Sequence, residues 1–267
     1  MIRRKAERMC GEIVRQLEEF TGHSYENIPS ITETPADPRI QTLVHARGQY
    51  TTKNMAILNN KPELAGKIYL DLDSLGETPY GVTVDEELED LITHECVHGL
   101  HLQNNQHAED FGIYIDNLEK ANKAILFTRK YRDQNVGLDI FSSGLLARRY
   151  LKLLDIFNIY SEGFAQWLTE KVRGQTLPGR DRIYEFCLEL FNTLEKAFGV
   201  EKTIDLAMNT STSHEIRDDY VRACELTNTD AKEKILDVFE MDDWAQELIR
   251  DEREIAAEQN VWSRPSD

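Results

Sequence analysis

The stretch Thr93-His94-Glu95-Cys96-Val97-His98 carries the pattern His-Glu-x-x-His. Residues four apart share one face of an α-helix, so His94 and His98 can offer two imidazoles to a single ion such as Zn2+. Glu95, beside the first of them, is placed to act as general base toward water at that ion. Chance alone yields the pattern in about one chain in a hundred of this length. The rest of the chain must therefore supply two things, a helix under the motif and a third ligand.

The helix is predicted from its start signal. Thr83-Val84-Asp85-Glu86 fits a capping box, in which a hydroxyl and a carboxylate satisfy the orphan N–H groups of a first turn. From there Leu88, Leu91, Ile92, Glu95, Gly99 and Leu102 fall on one stripe at about 100° per residue. Val97 and Leu100 are apolar on other faces, so the helix is expected to be covered on several sides. A carboxylate at Glu95 then sits among apolar positions, and its burial costs several kcal/mol unless a partner or a metal site holds it. Cys96 lies away from the histidines and reads as a helix-core thiol rather than a redox switch, since nothing cationic beside it in sequence activates it.

The third ligand is expected at Glu162, in Tyr160-Ser161-Glu162-Gly163-Phe164-Ala165-Gln166-Trp167. This piece belongs to an apolar-periodic helix predicted from roughly 144 to 173 and ended by Gly174. Most helical glutamates are exposed, but Ile159, Tyr160, Phe164, Ala165 and Trp167 leave little room for an exposed face. His101 is the competing ligand. It lies about 10 Å along the axis from His94, too far to share an ion with both histidines of a straight helix. It is expected to line the cleft or to bond a carbonyl.

With these residues in place, the sequence resembles the gluzincins, zinc metallopeptidases whose third ligand is a Glu on a helix downstream of His-Glu-x-x-His. Glu162-Gly163-Phe164-Ala165 is similar to the Glu-Gly-Phe-Ala of their aminopeptidase branch. The resemblance implies a zincin-like fold and one Zn2+ held by His94, His98 and Glu162. It also implies hydrolysis of a peptide or protein substrate with Glu95 as general base. It points to a His or Tyr of the C-terminal part as oxyanion donor, for which His214 and Tyr220 are the candidates. Each also has a plain reading, His214 as a helix-start surface residue and Tyr220 as core. An edge strand near the motif helix would receive extended substrate, and Lys67–Leu72 is the strand considered for it.

Two features depart from the family pattern. Glu162 follows His98 by 64 positions, a longer gap than in thermolysin-like or aminopeptidase members, and Gln166 stands where thermolysin-like enzymes place an Asp that orients a ligating His. Two rival readings accompany the peptidase: a metal-binding protein of the same build without peptidase activity, and an acidic helical interaction module with an accidental motif.

The positioning elements are predicted as follows. An amphipathic helix spans residues 3–20, with Ile13, Val14, Leu17 and Phe20 at helical spacing. Short strands and turns suit residues 27–52, and further strands are expected at Asn54–Leu58 and Lys67–Leu72. Glycines and a proline mark a linker over 76–81. Further helices are predicted around 110–130 and near 181–198, 200–208, 214–226 and 230–257. His23, His45 and His107 read as surface residues, and His107, Glu109 and Asp110 as a solvated acidic turn rather than a second metal site. The fold class is therefore α+β and mostly helical. Residues 1–103 form an α+β part with the sheet and motif helix, and 104–267 a helical part carrying Glu162, together one catalytic unit.

Composition narrows the partners. With 48 acidic against 31 basic residues, the net charge is −17, which repels nucleic acid and anionic lipid. Cys10, Cys96, Cys187 and Cys224 form no CxxC pair, which argues against a disulfide framework and for a reducing compartment. No apolar core follows the charged N-terminus and no run of about eighteen apolar residues occurs. A cytoplasmic protein without membrane or nucleic-acid contact is expected.

Overall fold

The structure is a computed structural model that describes residues 2–37, 47–76, 82–105, 157–174, 180–210 and 213–239. Helix α1, Ile2–Thr21, buries Ala6, Cys10, Ile13, Val14 and Leu17 on one face. That stripe recurs at helical spacing and packs on the motif helix. Phe20, which continues the spacing, is exposed.

Three short strands form one sheet: β1 at Ser30–Thr32, β2 at Gly48–Tyr50 and β3 at Lys67–Leu70. Their order is β1-β3-β2, with β1 parallel and β2 antiparallel to β3. Ile68, Tyr69 and Leu70 are all buried, and the backbone of β3 is paired along both edges. The expectation that Lys67–Leu72 might serve as the substrate edge is thereby corrected, because both edges of β3 are taken. The strand also stops at Leu70, and Leu72–Ser74 form a 3-10 turn.

A second correction concerns Asn54–Leu58, expected as a strand. Lys53–Leu58 is a helix, α2, because the Thr52 side chain accepts from the Met55 N–H and caps its first turn. Met, Ala and Leu favour helix, and one good cap outweighs a short apolar run of ambiguous period.

The motif helix α3 runs Val84–Asn104. Downstream, a π-helical turn at Phe157–Glu162 leads directly into α4, Gly163–Arg173. Gly174 closes α4 with φ +67°, a left-handed conformation that suits glycine. The remaining helices are α5 at Arg180–Phe198, α6 at Val200–Asn209, α7 at Ser213–Thr227 and α8 at Glu233–Phe239. Helix α4 packs between α3 and α5, and Phe164, Trp167 and Phe191 stack at that junction. The predicted helix over 110–130, residues 144–156 and 240–257, and His45, His107, Glu109 and Asp110 lie outside the described residues. Among the described residues, the architecture is α+β and mostly helical, and no helix is long and apolar enough to cross a membrane.

Candidate metal centre

Helix α3 is built as its sequence demands. The Thr83 hydroxyl accepts from the Glu86 N–H at 3.2 Å, and the Glu86 carboxylate accepts from the Thr83 N–H at 2.9 Å. From Leu88 to His101 nearly every residue is buried, so the helix is covered on several sides. Its first turns are also tied by charge. The Glu87 carboxylate takes the Arg47 guanidinium and, at 2.7 Å, the Gly76 N–H. The Asp90 carboxylate takes Arg173 of α4 at 2.6 Å, both side chains being buried.

Glu162, the last residue of the π-helical turn, meets the two motif histidines. Its carboxylate lies 3.0 Å from His94 Nε2 and 3.3 Å from His98 Nε2, and the two Nε2 atoms are 3.2 Å apart. Four ligands at about 2.0–2.1 Å from a tetrahedral ion stand about 3.3 Å from one another. The His94–His98 separation matches one edge of such a tetrahedron, and the Glu162 carboxylate bridges the pair with Oε2 toward His94 and Oε1 toward His98. Two ring nitrogens and a carboxylate turned toward one point suit a divalent cation, so the donor set fits. His94, His98 and Glu162 could hold a metal ion.

Without an ion the cluster holds itself together by charge. Burial disfavours ionised His98, but the Glu162 carboxylate outweighs it and raises the imidazole above its ordinary value. Burial likewise opposes ionised Glu162, yet both histidines hold its carboxyl well below the usual carboxylate range. Ser161, buried beside Glu162, has its Oγ 3.4 Å from His98 Nδ1. A partner on the second ring nitrogen fixes the tautomer and orientation of a ligating imidazole.

Glu95 points to the sheet. Its Oε2 accepts the Tyr50 N–H at 2.6 Å. On β2, the backbones of Arg47 and Thr51 bond toward β3, as Asp71 N–H to Arg47 O and Thr51 N–H to Lys67 O. Gly48 and Tyr50 therefore turn their backbone polar groups to the outer edge, where the Glu95 carboxylate lies. Burial lifts the Glu95 carboxyl above the ordinary range, against the pull of His98 and His94. Gly48 allows this close packing, because a Cβ there would lie 2.5 Å from Leu91 Cδ2 and 3.0 Å from Glu95 Oε1 and would push side chains aside. A lone Gly beside strand residues is a sequence mark of such a close backbone approach.

The other sequence candidates fall elsewhere. His101 is fully buried and bonds the Ala207 carbonyl at 3.1 Å, with the Tyr160 hydroxyl at 3.3 Å. Burial pushes its imidazole down to about 3, so it stays neutral and ties α3 to α6 instead of joining the triad. Gln166, which stands where thermolysin-like enzymes place an orienting Asp, is buried and donates to Glu170 at 3.0 Å. His214 is exposed in the first turn of α7. Tyr220 is buried, and its hydroxyl accepts from the Lys232 N–H at 3.2 Å.

Comparison with known protein families, with curated proteins and with solved structures gives no match. Fold and site together define a mostly helical α+β protein with a centre able to hold a metal ion.

Proposed function

We propose that this chain is a zinc-dependent peptidase. The carrying observation is the convergence of His94, His98 and Glu162 with Glu95 in the same helix turn. The His94 and His98 Nε2 atoms and the Glu162 carboxylate would hold the ion. Zinc bound there supplies Lewis acidity, polarising a carbonyl and acidifying water. The Tyr50 N–H fixes one oxygen of Glu95, which leaves Oε1 to take a proton from the attacking water and pass it to the leaving amine nitrogen. The outer edge of β2 is the place for an extended peptide, because its backbone groups border Glu95 and β3 closes its other side. As oxyanion donor the exposed His214 is favoured over Tyr220, whose side chain is buried.

The test joins metal analysis to a peptide-library digestion with a chelator control. One zinc per chain and chelator-sensitive cleavage are expected. Glu95→Gln should keep the zinc and lose hydrolysis. A protein that retains no metal, or a Glu95→Gln variant that cleaves the same peptides as before, overturns the reading.

A further inference from the structure

Cys96 sits inside the metal-binding motif, and the fold gives it a partner that lies 86 positions away in sequence. Its Sγ is 3.7 Å from that of Cys10 on α1, and both thiols are free and buried. The surroundings hold the Cys10 sulfur and the Cys96 backbone in place. The Cys10 thiol donates to the Pro29 carbonyl at 3.5 Å, and the Tyr25 hydroxyl donates to the Cys96 carbonyl at 2.6 Å.

We propose that Cys10 and Cys96 are a redox pair whose disulfide clamps α1 to the motif helix and weakens the metal centre. The oxidant is a hydroperoxide. One thiol attacks a peroxide oxygen and breaks the O–O bond; for hydrogen peroxide this yields a sulfenic acid and one water. The second thiol attacks the sulfenic sulfur, forms the S–S bond and expels a second water. Two thiols are oxidised by two electrons, and the peroxide is reduced by the same two. Both side chains are buried, so reaction proceeds through transient opening of α1 from α3 and is slow.

The effect on the centre follows from distance. A disulfide needs its sulfurs at about 2.05 Å, so those of Cys10 and Cys96 must approach by about 1.6 Å. Cys96 lies on the helix turn between His94 and His98 and faces away from them. Drawing it toward α1 carries both histidines with α3, whereas Glu162 stays on a separate element. A metal site keeps its ligand distances within about 0.2 Å, so α3 need take up only a small part of this approach, the rest being shared by α1 and side-chain rotation, for the ligand geometry to be lost. The loss of affinity rests on the metal reading above; the thiol chemistry does not.

The experiment uses the full chain, reduced with dithiothreitol or oxidised with hydrogen peroxide. Peptide mapping without reductant should link Cys10 to Cys96, and zinc competition with a chromophoric chelator should show at least about tenfold weaker binding. Dithiothreitol should restore the affinity, and Cys10→Ala should be insensitive to peroxide in the same assay. A map without the Cys10–Cys96 link, or with sulfinic acids in its place, overturns the proposal, as does equal zinc affinity in linked and reduced protein. If the reduced protein binds no zinc, the metal reading fails by itself. The clamp is then read from hydrogen exchange over residues 92–100, where slower exchange after oxidation supports it and unchanged exchange overturns it.

Discussion

Gly48→Ala puts the geometry around Glu95 to a direct test. The new Cβ would lie 2.5 Å from Leu91 Cδ2, 3.0 Å from Glu95 Oε1 and 3.1 Å from Glu95 Cγ. Carbon atoms pack at about 3.5–4.0 Å, so the overlap with Leu91 is about 1 Å. Overpacking of this kind costs about 1–3 kcal/mol, which in a chain of this size lowers Tm by roughly 2–10 °C. If β2 yields by about 1 Å, the 2.6 Å bond from the Tyr50 N–H to Glu95 stretches to the edge of hydrogen-bond range. A misplacement of about 1 Å can cost about a hundredfold in rate. Thermal denaturation, zinc stoichiometry and peptide-hydrolysis kinetics should therefore show a lower Tm, retained zinc and a reduced kcat/KM. Leu91→Ala removes the atom that is struck, so the double variant should lose less stability than the two single losses added together. A Gly48→Ala protein of unchanged stability refutes the close approach; a destabilised one with full activity refutes the placement of Glu95.

Two further outcomes follow from the centre. Ser161→Ala removes the group beside His98 Nδ1 and should weaken zinc binding about 10–100-fold, measured by chelator competition, with Tm of the metal-free protein little changed. The second concerns pH. The His98 value is raised, so its contribution to metal-free stability is complete below its unfolded value near 6.5 and is lost as pH rises through the folded value. The Glu95 value is also raised, so its contribution is complete below 4.5 and is lost as pH rises through its folded value. Glu162 is depressed, so its contribution is present above 4.5 and is lost only as pH falls through its low folded value. His98 and Glu162 together favour the metal-free protein in the window from 4.5 to 6.5, while Glu95 works against them as pH rises above 4.5. Zinc competes with protons for the imidazoles, so the Tm gain on adding zinc should grow from pH 5.5 to 7.5. A gain that shrinks over that range contradicts the assigned ligands.

Local features of the motif helix could be read from the sequence because their causes are local. The capping box fixes where α3 begins, and the apolar residues around Glu95 announce a buried carboxylate. Glu162 was legible for the same reason, a charged residue with no exposed face to occupy. The Thr52 cap was also local, but apolar spacing at 54–58 carried more weight in the reading than the hydroxyl before it. The approach of Gly48 to Leu91 and of Cys10 to Cys96 depends on how separate elements pack. No spacing along the chain encodes either distance.

The 64 positions between His98 and Glu162 weigh less against the site than they do in sequence. Side-chain contacts join α3 to the π-helical turn and α4 in opposite chain sense. Asp90 meets Arg173, His94 and His98 meet Glu162 and Ser161, and His101 and Asn105 meet Tyr160. The rungs on either side of the triad are buried, and the Tyr160 hydroxyl is itself anchored on the Ala207 carbonyl at 2.7 Å. The ligands are thus set by contacts between the elements that carry them, and the chain that connects those elements need not hold the geometry. Removing one partner of a buried ion pair such as Asp90–Arg173 costs roughly 3–5 kcal/mol, so these contacts are strong enough to set the geometry. Gap length is therefore a weak criterion for this kind of centre, and the antiparallel rungs are the stronger one.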